Sequence, residues 1–571
     1  MKTELDLKMD ATMAALTGEG GPLALGTTER FGQTLPMIAG APPTLPAYFA
    51  HYSQQHAATE FLVSGDERLT YADVYARAEK VAAALVGGFG VKKGDRVGIA
   101  ARNSTSWIVL YMGILMAGGV ATLLNGWWQS EELQAGVDDV GCTLVFADPP
   151  RCKRLADLAG LKATVVEFDD LQPIDAALAP ILAKVGDGAA DLPQVGPDDH
   201  ATILFTSGST GQSKGALSTH RQVTQGVFNY LGSALMMMAI GAQEGVVTNQ
   251  YQPSTLLNLP LFHVTAEVPV FLQSFAIGRK LVLMPKWNAE EAMRLMDREK
   301  ITYFVGVPLM SFEILNHPNR HQYDLSSVAD FAAGGAPRPV EHVNRIEQEM
   351  EGKPLIGYGL TETNGVGTGN WRTNYLAKPN SAGRPSMPLV DLAILDDAGA
   401  PVPQGERGEV AIRSVACFQE YWGKPEATAE AYTADGYFRT GDIGYLDEDG
   451  YLFIVDRKKD IIIRGGENIS CQEVEDALYQ HPDVAEAAVF GLPDERYGEV
   501  PGAVVHLSTP GAVTVDDICA FLTQHIAAFK VPQRIWLADE ALPRLGTEKI
   551  DKVSLRTKYR ALAATEAAAA A

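Results

Sequence analysis

The sequence predicts an α/β protein: a large N-terminal α/β domain with mainly parallel sheets, followed by a small mobile C-terminal α/β domain. Three observations carry that prediction. At 571 residues the chain exceeds what one ordinary hydrophobic core accommodates, so two or more domains are expected. Short apolar runs of strand type alternate with segments of helical periodicity, as crossover-linked parallel strands require. One such run, Thr202 to Phe205, empties into a loop of glycines and hydroxyls that closes on Lys214, a layout suited to a phosphate chain.

The elements follow in order. Residues 1–45, rich in Gly, Ala, Pro and Thr, are expected to form an irregular arm. Thr70 and Asp73 make a capping box for a helix that places Val74, Ala78, Val81, Ala82 and Leu85 on one face and stops at Gly87 and Gly88. Strands are expected at 96–100, 120–124, 143–147, 280–284 and 301–305. Trp107 to Leu124 is uncharged and at the lower bound for a membrane span, but Ala117, Gly118 and Gly119 divide it into a helix and a strand, so it reads as buried core, as does the Met-rich run 235–240. Gly, Asp and Pro mark a linker over 183–200. Beyond residue 456 a small domain is expected: Ser470 and Glu473 cap a helix carrying Cys471, Val474 and Leu478, then come strands at 484–490 and 503–507, a helix at 515–526, a strand at 534–537 and an Ala-rich tail that frays.

Composition excludes some functions. Lys and Arg number 47 and Asp and Glu 70, a formal charge of −23, which argues against a nucleic-acid partner or electrostatic docking on anionic lipid. Any anionic substrate must be met by locally placed cations and N–H groups. The five cysteines include no C-x-x-C pair, so neither a disulfide frame nor a zinc site is indicated and a reducing cytoplasm is expected. The N-terminus lacks the basic and apolar regions of a signal peptide.

The loop residues are Thr206, Ser207, Gly208, Ser209, Thr210, Gly211, Lys214 and Gly215. A Walker A loop is excluded, because Lys214 is preceded by Ser213 and followed by Gly215 instead of a hydroxyl residue. Further along come His263 after an apolar run, the small residues Gly334, Gly335 and Ala336, and the run Gly357, Tyr358, Gly359, Leu360, Thr361, Glu362. Small residues let the backbone approach a flat ring, Tyr358 can stack on one, and Glu362 carries the hard oxygen that Mg²⁺ prefers. Asp442, the charged run 456–460, and Pro543, Arg544, Lys549 and Ile550 complete the series.

In order and spacing these motifs resemble those of the adenylate-forming superfamily of acyl-CoA synthetases, aryl-CoA ligases and luciferases, over roughly residues 50–555. The resemblance implies an acid–thiol ligase that joins a carboxylic acid to AMP, releases pyrophosphate, and passes the acyl group to CoA, with ATP, Mg²⁺ and CoA as cofactors. It implies that Thr206 to Lys214 hold the β- and γ-phosphates, with Thr206 and Glu362 at the metal. Gly334 to Ala336, Tyr358 and Gly359 form the adenine slot, Thr361 meets the α-phosphate, and His263 gates the carboxylate site. Asp442 holds the ribose, assisted by Arg457. Lys549 bridges the carboxylate and α-phosphate, Lys459 is the pivot, and Gly465, Gly466 and Glu467 present the face used in thiolysis. The implied boundaries are 46–456 and 457–571, with the hinge at 456–460.

Glu548 stands where the family has glycine, beside Lys549. Gly357 is small where acetate-specific relatives carry tryptophan, which implies an open acyl pocket for a medium or long fatty acid or an aryl acid. Delivery to a carrier protein instead of CoA, and a non-catalytic nucleotide-binding homologue, remain alternatives. A homodimer is one option for the assembly.

Overall fold

The structure is a computed structural model that describes residues 2–156, 158, 160–184, 191–206, 213–245, 251–458, 460–465, 467–494, 496–545 and 549–570. The chain forms two compact units: Met1–Ala393 with Ala411–Arg439 and Asp449–Tyr451, and Ile394–Val410 with Thr440–Glu448 and Leu452–Ala571. The second therefore includes 394–410 and 440–448, which the sequence reading places in the large domain.

Two large sheets organise the first unit. A seven-stranded sheet runs in the order Glu420–Tyr421, Gly215–Thr219, His200–Phe205, Val120–Leu123, Arg96–Ala100, Leu144–Ala147 and Thr164–Glu167. Its strands from His200–Phe205 onward are parallel, while Gly215–Thr219 pairs antiparallel with both His200–Phe205 and the edge strand Glu420–Tyr421. A nine-stranded sheet contains Ser254–Leu257, Lys280–Leu283, Tyr303–Gly306, Asp330–Gly334 and Lys353–Gly359 in parallel, closed by antiparallel Gly367–Trp371. Parallel strands covered on both faces must be apolar throughout, which is why they read as unbroken hydrophobic runs.

The uncharged stretch from Trp107 is core, as expected. Every residue of helix Thr105–Met116 is buried, with Trp107 stacked on Tyr111, and a turn at Gly118 (φ +75°) leads into strand Val120–Leu123. Among the described residues, helix His220–Gln243 is long and apolar enough to cross a membrane, and most of its apolar window is buried inside the protein. Thr70 and Asp73 form the expected reciprocal cap on helix Tyr71–Gly87, a contact whose loss costs about 1 kcal/mol.

The N-terminal arm is not irregular. It folds as helix Glu4–Thr17 and the hairpin Leu25–Arg30/Gln33–Ile38. Met9 and Met13 bury against Met236 and Ile240. The fully buried Asp6 accepts hydrogen bonds from Asn374, Arg384 and Tyr451 at 2.9–3.1 Å. Those partners lie more than 365 residues away in sequence, so no local pattern announces them.

The second unit contributes residues 394–395, 408–410, 440–446 and 452–457 to a four-stranded sheet, and has a five-stranded sheet built on Val484–Asp494 and Gly498–Leu507. Ser470 caps helix Cys471–Tyr479 by accepting from the Glu473 N–H at 3.1 Å, while the Glu473 carboxylate pairs with Lys530 at 2.5 Å. The Ala-rich tail continues as helix Lys552–Ala570, anchored by buried Leu555 and Tyr559.

Candidate active site

In the first unit the strands that flank the phosphate-type loop, His200–Phe205 and Gly215–Thr219, pair antiparallel. Phe205 pairs with Gly215, and the Thr206 N–H donates to the Lys214 carbonyl at 3.0 Å, closing the neck. A strand follows the lysine where a Walker loop would be followed by a helix. Ser207, Gly208, Ser209, Thr210 and Gly211 lie outside the described residues.

The Lys214 ammonium stands 4.8 Å from the centre of the Tyr421 ring. Tyr421 is set there by register, since the edge strand Glu420–Tyr421 pairs with Gly215–Thr219 through Ala216. Its phenol donates to Glu362 Oε1 at 2.7 Å. Burial and the Glu362 carboxylate push that phenol far above the usual tyrosine range, so it remains a donor.

Glu362 sits in the tight turn Thr361–Thr363 and is 8% exposed. The turn is fixed from several sides: Leu360 N–H donates to Thr363 Oγ1 at 3.1 Å, and Phe418 N–H to the Glu362 carbonyl at 2.7 Å. Asn364, at φ +50°, donates through Nδ2 to Ser218 Oγ and the Ala416 carbonyl at 3.0 and 2.8 Å. Gly359 is required just before the turn, because a Cβ there would lie 1.9 Å from the Gly365 carbonyl oxygen.

Gly334 and Gly357 face each other across parallel strands. A Cβ added at Gly334 would meet nothing nearer than the Gly357 carbonyl at 3.5 Å, and one at Gly357 only the Thr368 carbonyl at 3.9 Å. At both positions a methyl group would sit in ordinary van der Waals contact, without overlap. Gly335 follows at φ +79°, partly buried Ala336 after it, and partly buried Tyr358 pairs with Thr368. Thr265 comes within 3.9 Å of the Gly334 Cβ position, and His263 caps the short helix carrying it, Nδ1 accepting from the Thr265 N–H at 3.3 Å.

In the second unit Asp442 and Arg457 are direct cross-strand partners, with Nε 3.2 Å from Oδ1. Asp442 is 4% exposed. Its strand is fixed by Thr440, which donates to the Val410 carbonyl at 2.7 Å, and by Glu409, which accepts from the Gly441 N–H at 3.2 Å. Lys549 lies on a loop closed by the Leu545 N–H donating to the Lys549 carbonyl at 2.7 Å and by pairing of Arg544 with Ile550. Glu486 anchors that loop, accepting from the Leu542 N–H at 2.6 Å and from Arg544. Burial pushes the Lys549 ammonium down to about 8, the Arg457 cation adds to the fall, and Asp442 opposes it. Gly465 turns at φ +58°, and exposed Glu467 opens the strand Glu467–Ile469.

The family model of the AMP-binding enzymes matches residues 49–422, and that of their C-terminal domain matches 473–549. The chain belongs to the AMP-binding enzyme family. It is 34% identical over 506 residues to the long-chain-fatty-acid–CoA ligase FadD13 of Mycobacterium tuberculosis, covering 87% of this chain and 94% of the relative. To feruloyl-CoA synthase of an Amycolatopsis species it is 34% identical over 496 residues, covering 87% and 95%. Among solved structures, o-succinylbenzoate coenzyme A synthetase of Bacillus subtilis in complex with ATP and magnesium superimposes with a TM-score of 0.74 at 25% identity, covering 89% of this chain and 99% of that one.

Of the residues singled out from the sequence, this AMP-binding enzyme brings Thr206, Lys214, Thr361 and Glu362 into one neighbourhood joined through Tyr421, and Asp442, Arg457 and Lys549 within each other's electrostatic reach in another. Lys459, expected as the pivot, Gly466, expected in the thiolysis face, and Glu548 lie outside the described residues. Tyr421 is the residue that sequence reasoning missed. It stands in a stretch without periodicity or turn signature, and only the pairing of Ala216 with Tyr421 reveals its place.

Proposed function

We propose that this AMP-binding enzyme is an ATP-dependent acyl-CoA ligase, acting through acyl-AMP on a medium- or long-chain fatty acid or an aryl acid. The observation that carries the reading is the pairing of Lys214 and Glu362 through Tyr421, which sets a cation and a hard carboxylate side by side at the neck of a phosphate-type loop. A carboxylate is a poor electrophile, because the negative charge shared by its two oxygens is donated to the carbon and its leaving group would be oxide. In the first half-reaction a carboxylate oxygen attacks the α-phosphorus of ATP, the bond to the bridging oxygen breaks, and pyrophosphate leaves with the electron pair. In the second, the CoA sulfur attacks the acyl carbon, its proton is lost, and AMP departs. No covalent enzyme intermediate is required.

The residues divide the work. Two anions meet in the first step, so charge must be neutralised. Lys214 and the loop around it serve the β- and γ-phosphates, Thr361 the α-phosphate, and Lys549 the approaching carboxylate. Asp442, accepting from two ribose hydroxyls and steadied by Arg457, fixes the nucleoside. The small residues 334–336 and Tyr358 suit a flat adenine.

Glu362 fits a Mg²⁺ ion: its hard oxygen is of the right chemistry, Tyr421 steadies the carboxylate, and Mg²⁺ is held by one or two carboxylates together with substrate phosphates, without a full protein cage. Among the described residues no cluster of three His, Cys, Asp or Glu competes for it. Bound there with Thr206, the ion would supply charge neutralisation on the phosphates.

The absence of a side chain at Gly334 and Gly357 supports an extended acyl group over acetate, and the named relatives are a long-chain-fatty-acid–CoA ligase and a feruloyl-CoA synthase. Thiolysis needs the CoA sulfur where the lysine acted. Rotation of the second unit about 456–460, exchanging the Lys549 loop for the 465–467 face, accounts for functional residues on both sides of that segment.

The test is a panel of carboxylic acids with ATP, Mg²⁺ and CoA, read for pyrophosphate and for thioester by mass. We expect both products from at least one fatty or aryl acid. Lys549→Ala is expected to abolish adenylation while leaving thiolysis of supplied acyl-AMP near wild type. ATP cut to ADP, or no pyrophosphate from any acid, would overturn the reading. Acyl-AMP accumulation without thioester would move the acceptor to a carrier protein.

A further inference from the structure

The N-terminal hairpin precedes the family match, which begins at residue 49, yet one of its side chains reaches the turn that secures Glu362. Arg30 ends the strand Leu25–Arg30, just before a tight turn at Phe31 and Gly32, both with positive φ. Its Nη1 donates to the Cys417 carbonyl at 2.6 Å and its Nη2 to the Phe418 carbonyl at 2.5 Å. The guanidinium lies 4.9 Å from the Phe31 ring centre and 5.6 Å from that of Tyr432, and the Tyr432 hydroxyl donates to the same Phe418 carbonyl at 2.6 Å. Phe31 itself packs on Tyr432 at 4.7 Å. Cys417 and Phe418 are buried, so removing the guanidinium takes a charged donor from two buried carbonyls, of which that of Phe418 keeps the Tyr432 hydroxyl.

The turn that Arg30 satisfies has two holds on Glu362. The Phe418 N–H donates to the Glu362 backbone carbonyl, and three residues later the Tyr421 phenol holds the Glu362 carboxylate while its ring faces Lys214. The turn is further registered on the strand Gly215–Thr219: Gln419 N–H donates to the Leu217 carbonyl at 2.7 Å and Trp422 N–H to the Gly215 carbonyl at 2.8 Å. The planar fork of arginine matches two successive carbonyls, whereas a lysine ammonium satisfies such a pair less well.

We infer that Arg30 is a positioning residue for the ATP site, bracing the 417–421 turn so that Tyr421 presents Glu362 and Lys214 in fixed relation. The inference deepens the acyl-CoA ligase reading and rests on it for the identity of the nucleotide. Arg30 touches no substrate; it acts through Cys417, Phe418 and Tyr421.

The experiment uses the full-length enzyme with Arg30→Ala, Arg30→Lys and Tyr421→Phe. Calorimetric binding of ATP with Mg²⁺ is measured beside ATP–pyrophosphate exchange. Losing a charged donor to two buried carbonyls is expected to weaken ATP·Mg²⁺ binding by about tenfold or more in Arg30→Ala and to raise the Mg²⁺ concentration for half-maximal exchange in parallel, with KM for the acid within about twofold of wild type. Arg30→Lys should fall between, and added guanidinium should restore binding to Arg30→Ala. The Arg30→Ala/Tyr421→Phe double variant should lose less than the sum of the single effects, because both act through Glu362.

Wild-type ATP·Mg²⁺ binding in Arg30→Ala overturns the inference, as do equal losses for ATP and acid or additive effects in the double variant. Should Arg30→Ala fail to fold, Arg30→Lys decides by the same measurements. Wild-type enzyme that binds ATP but exchanges no pyrophosphate with any acid would sink the ligase reading instead, leaving the binding comparison intact.

Discussion

Lys549 offers the sharpest test, because its environment puts a number on the pH dependence of adenylation. Burial beside Arg457 pushes its ammonium down to about 8 from 10.5. If its charge is what lets the acid carboxylate approach the α-phosphate, activity follows the protonated fraction. That fraction falls from about 0.9 at pH 7 to about 0.1 at pH 9, roughly a tenfold loss, where an ordinary lysine would lose only a few per cent. The quantity to measure is kcat/KM for ATP in pyrophosphate exchange between pH 6.5 and 9.5, since this ratio reports ionisations of the free enzyme. The limb in kcat should lie higher, because bound phosphates stabilise the cation. The sign of each neighbour is fixed: Arg457→Gln removes a repelling charge, so the limb moves to higher pH. Lys549→Arg stays charged throughout, so whatever activity it keeps should be flat to pH 9.5. A wild-type profile flat to pH 9, or a limb that moves down in Arg457→Gln, would refute the role given to this lysine.

Three further outcomes follow from local geometry. Gly357→Trp places a Cβ that meets nothing closer than 3.9 Å, and in variant enzyme that folds by circular dichroism it should cut kcat/KM for a medium- or long-chain or aryl acid by about a hundredfold relative to acetate in a competition assay. Gly359→Ala forces a Cβ to within 1.9 Å of the Gly365 carbonyl, so denaturant titration should show a loss of about 2–4 kcal/mol. His220 is fully buried, its Nδ1 accepting from the Leu45 N–H at 3.2 Å, and burial pushes it down to about 4 from 6.5. Between those values the unfolded chain binds the extra proton, so stability is complete above pH 6.5 and falls as pH drops toward 4, by up to about 3 kcal/mol. Thermal midpoints of His220→Gln should lack that portion of the acid decline.

Much of the fold was legible because its requirements are local. A parallel strand covered on both faces must be apolar throughout, so runs such as Arg96–Ala100 and Leu144–Ala147 announce themselves. The helix at Tyr71 declares its start through a cap contained within four residues. The N-terminal helix carries the same local signal, a Thr3/Asp6 capping box, which a composition rich in Gly, Ala, Pro and Thr over residues 1–45 masks; what no local pattern shows is that Asp6 also binds Asn374, Arg384 and Tyr451, remote in sequence. The extent of the second unit was hidden likewise, since 394–410 and 440–448 join it by sheet pairing and not by anything in their composition.

The candidate site divides along the same line. A loop that wraps an anion needs glycines and hydroxyls at close spacing, and a carboxylate on a tight turn needs small neighbours such as Gly359, so 206–215 and 357–362 carry their chemistry in consecutive residues. Holding those loops in relation to each other imposes no such demand. Any donor of the right reach suffices, from any part of the chain, and here those that do it include Tyr421, 59 residues from Glu362, and Arg30, 387 residues from Cys417. A carboxylate meant for a hard cation gains from being fixed before the cation arrives, because the cost of ordering it is then met during folding and not during binding. Residues recruited for that purpose answer to geometry alone. A close relative could therefore keep every loop motif and still bind ATP·Mg²⁺ weakly, if the position corresponding to Arg30 lost its guanidinium.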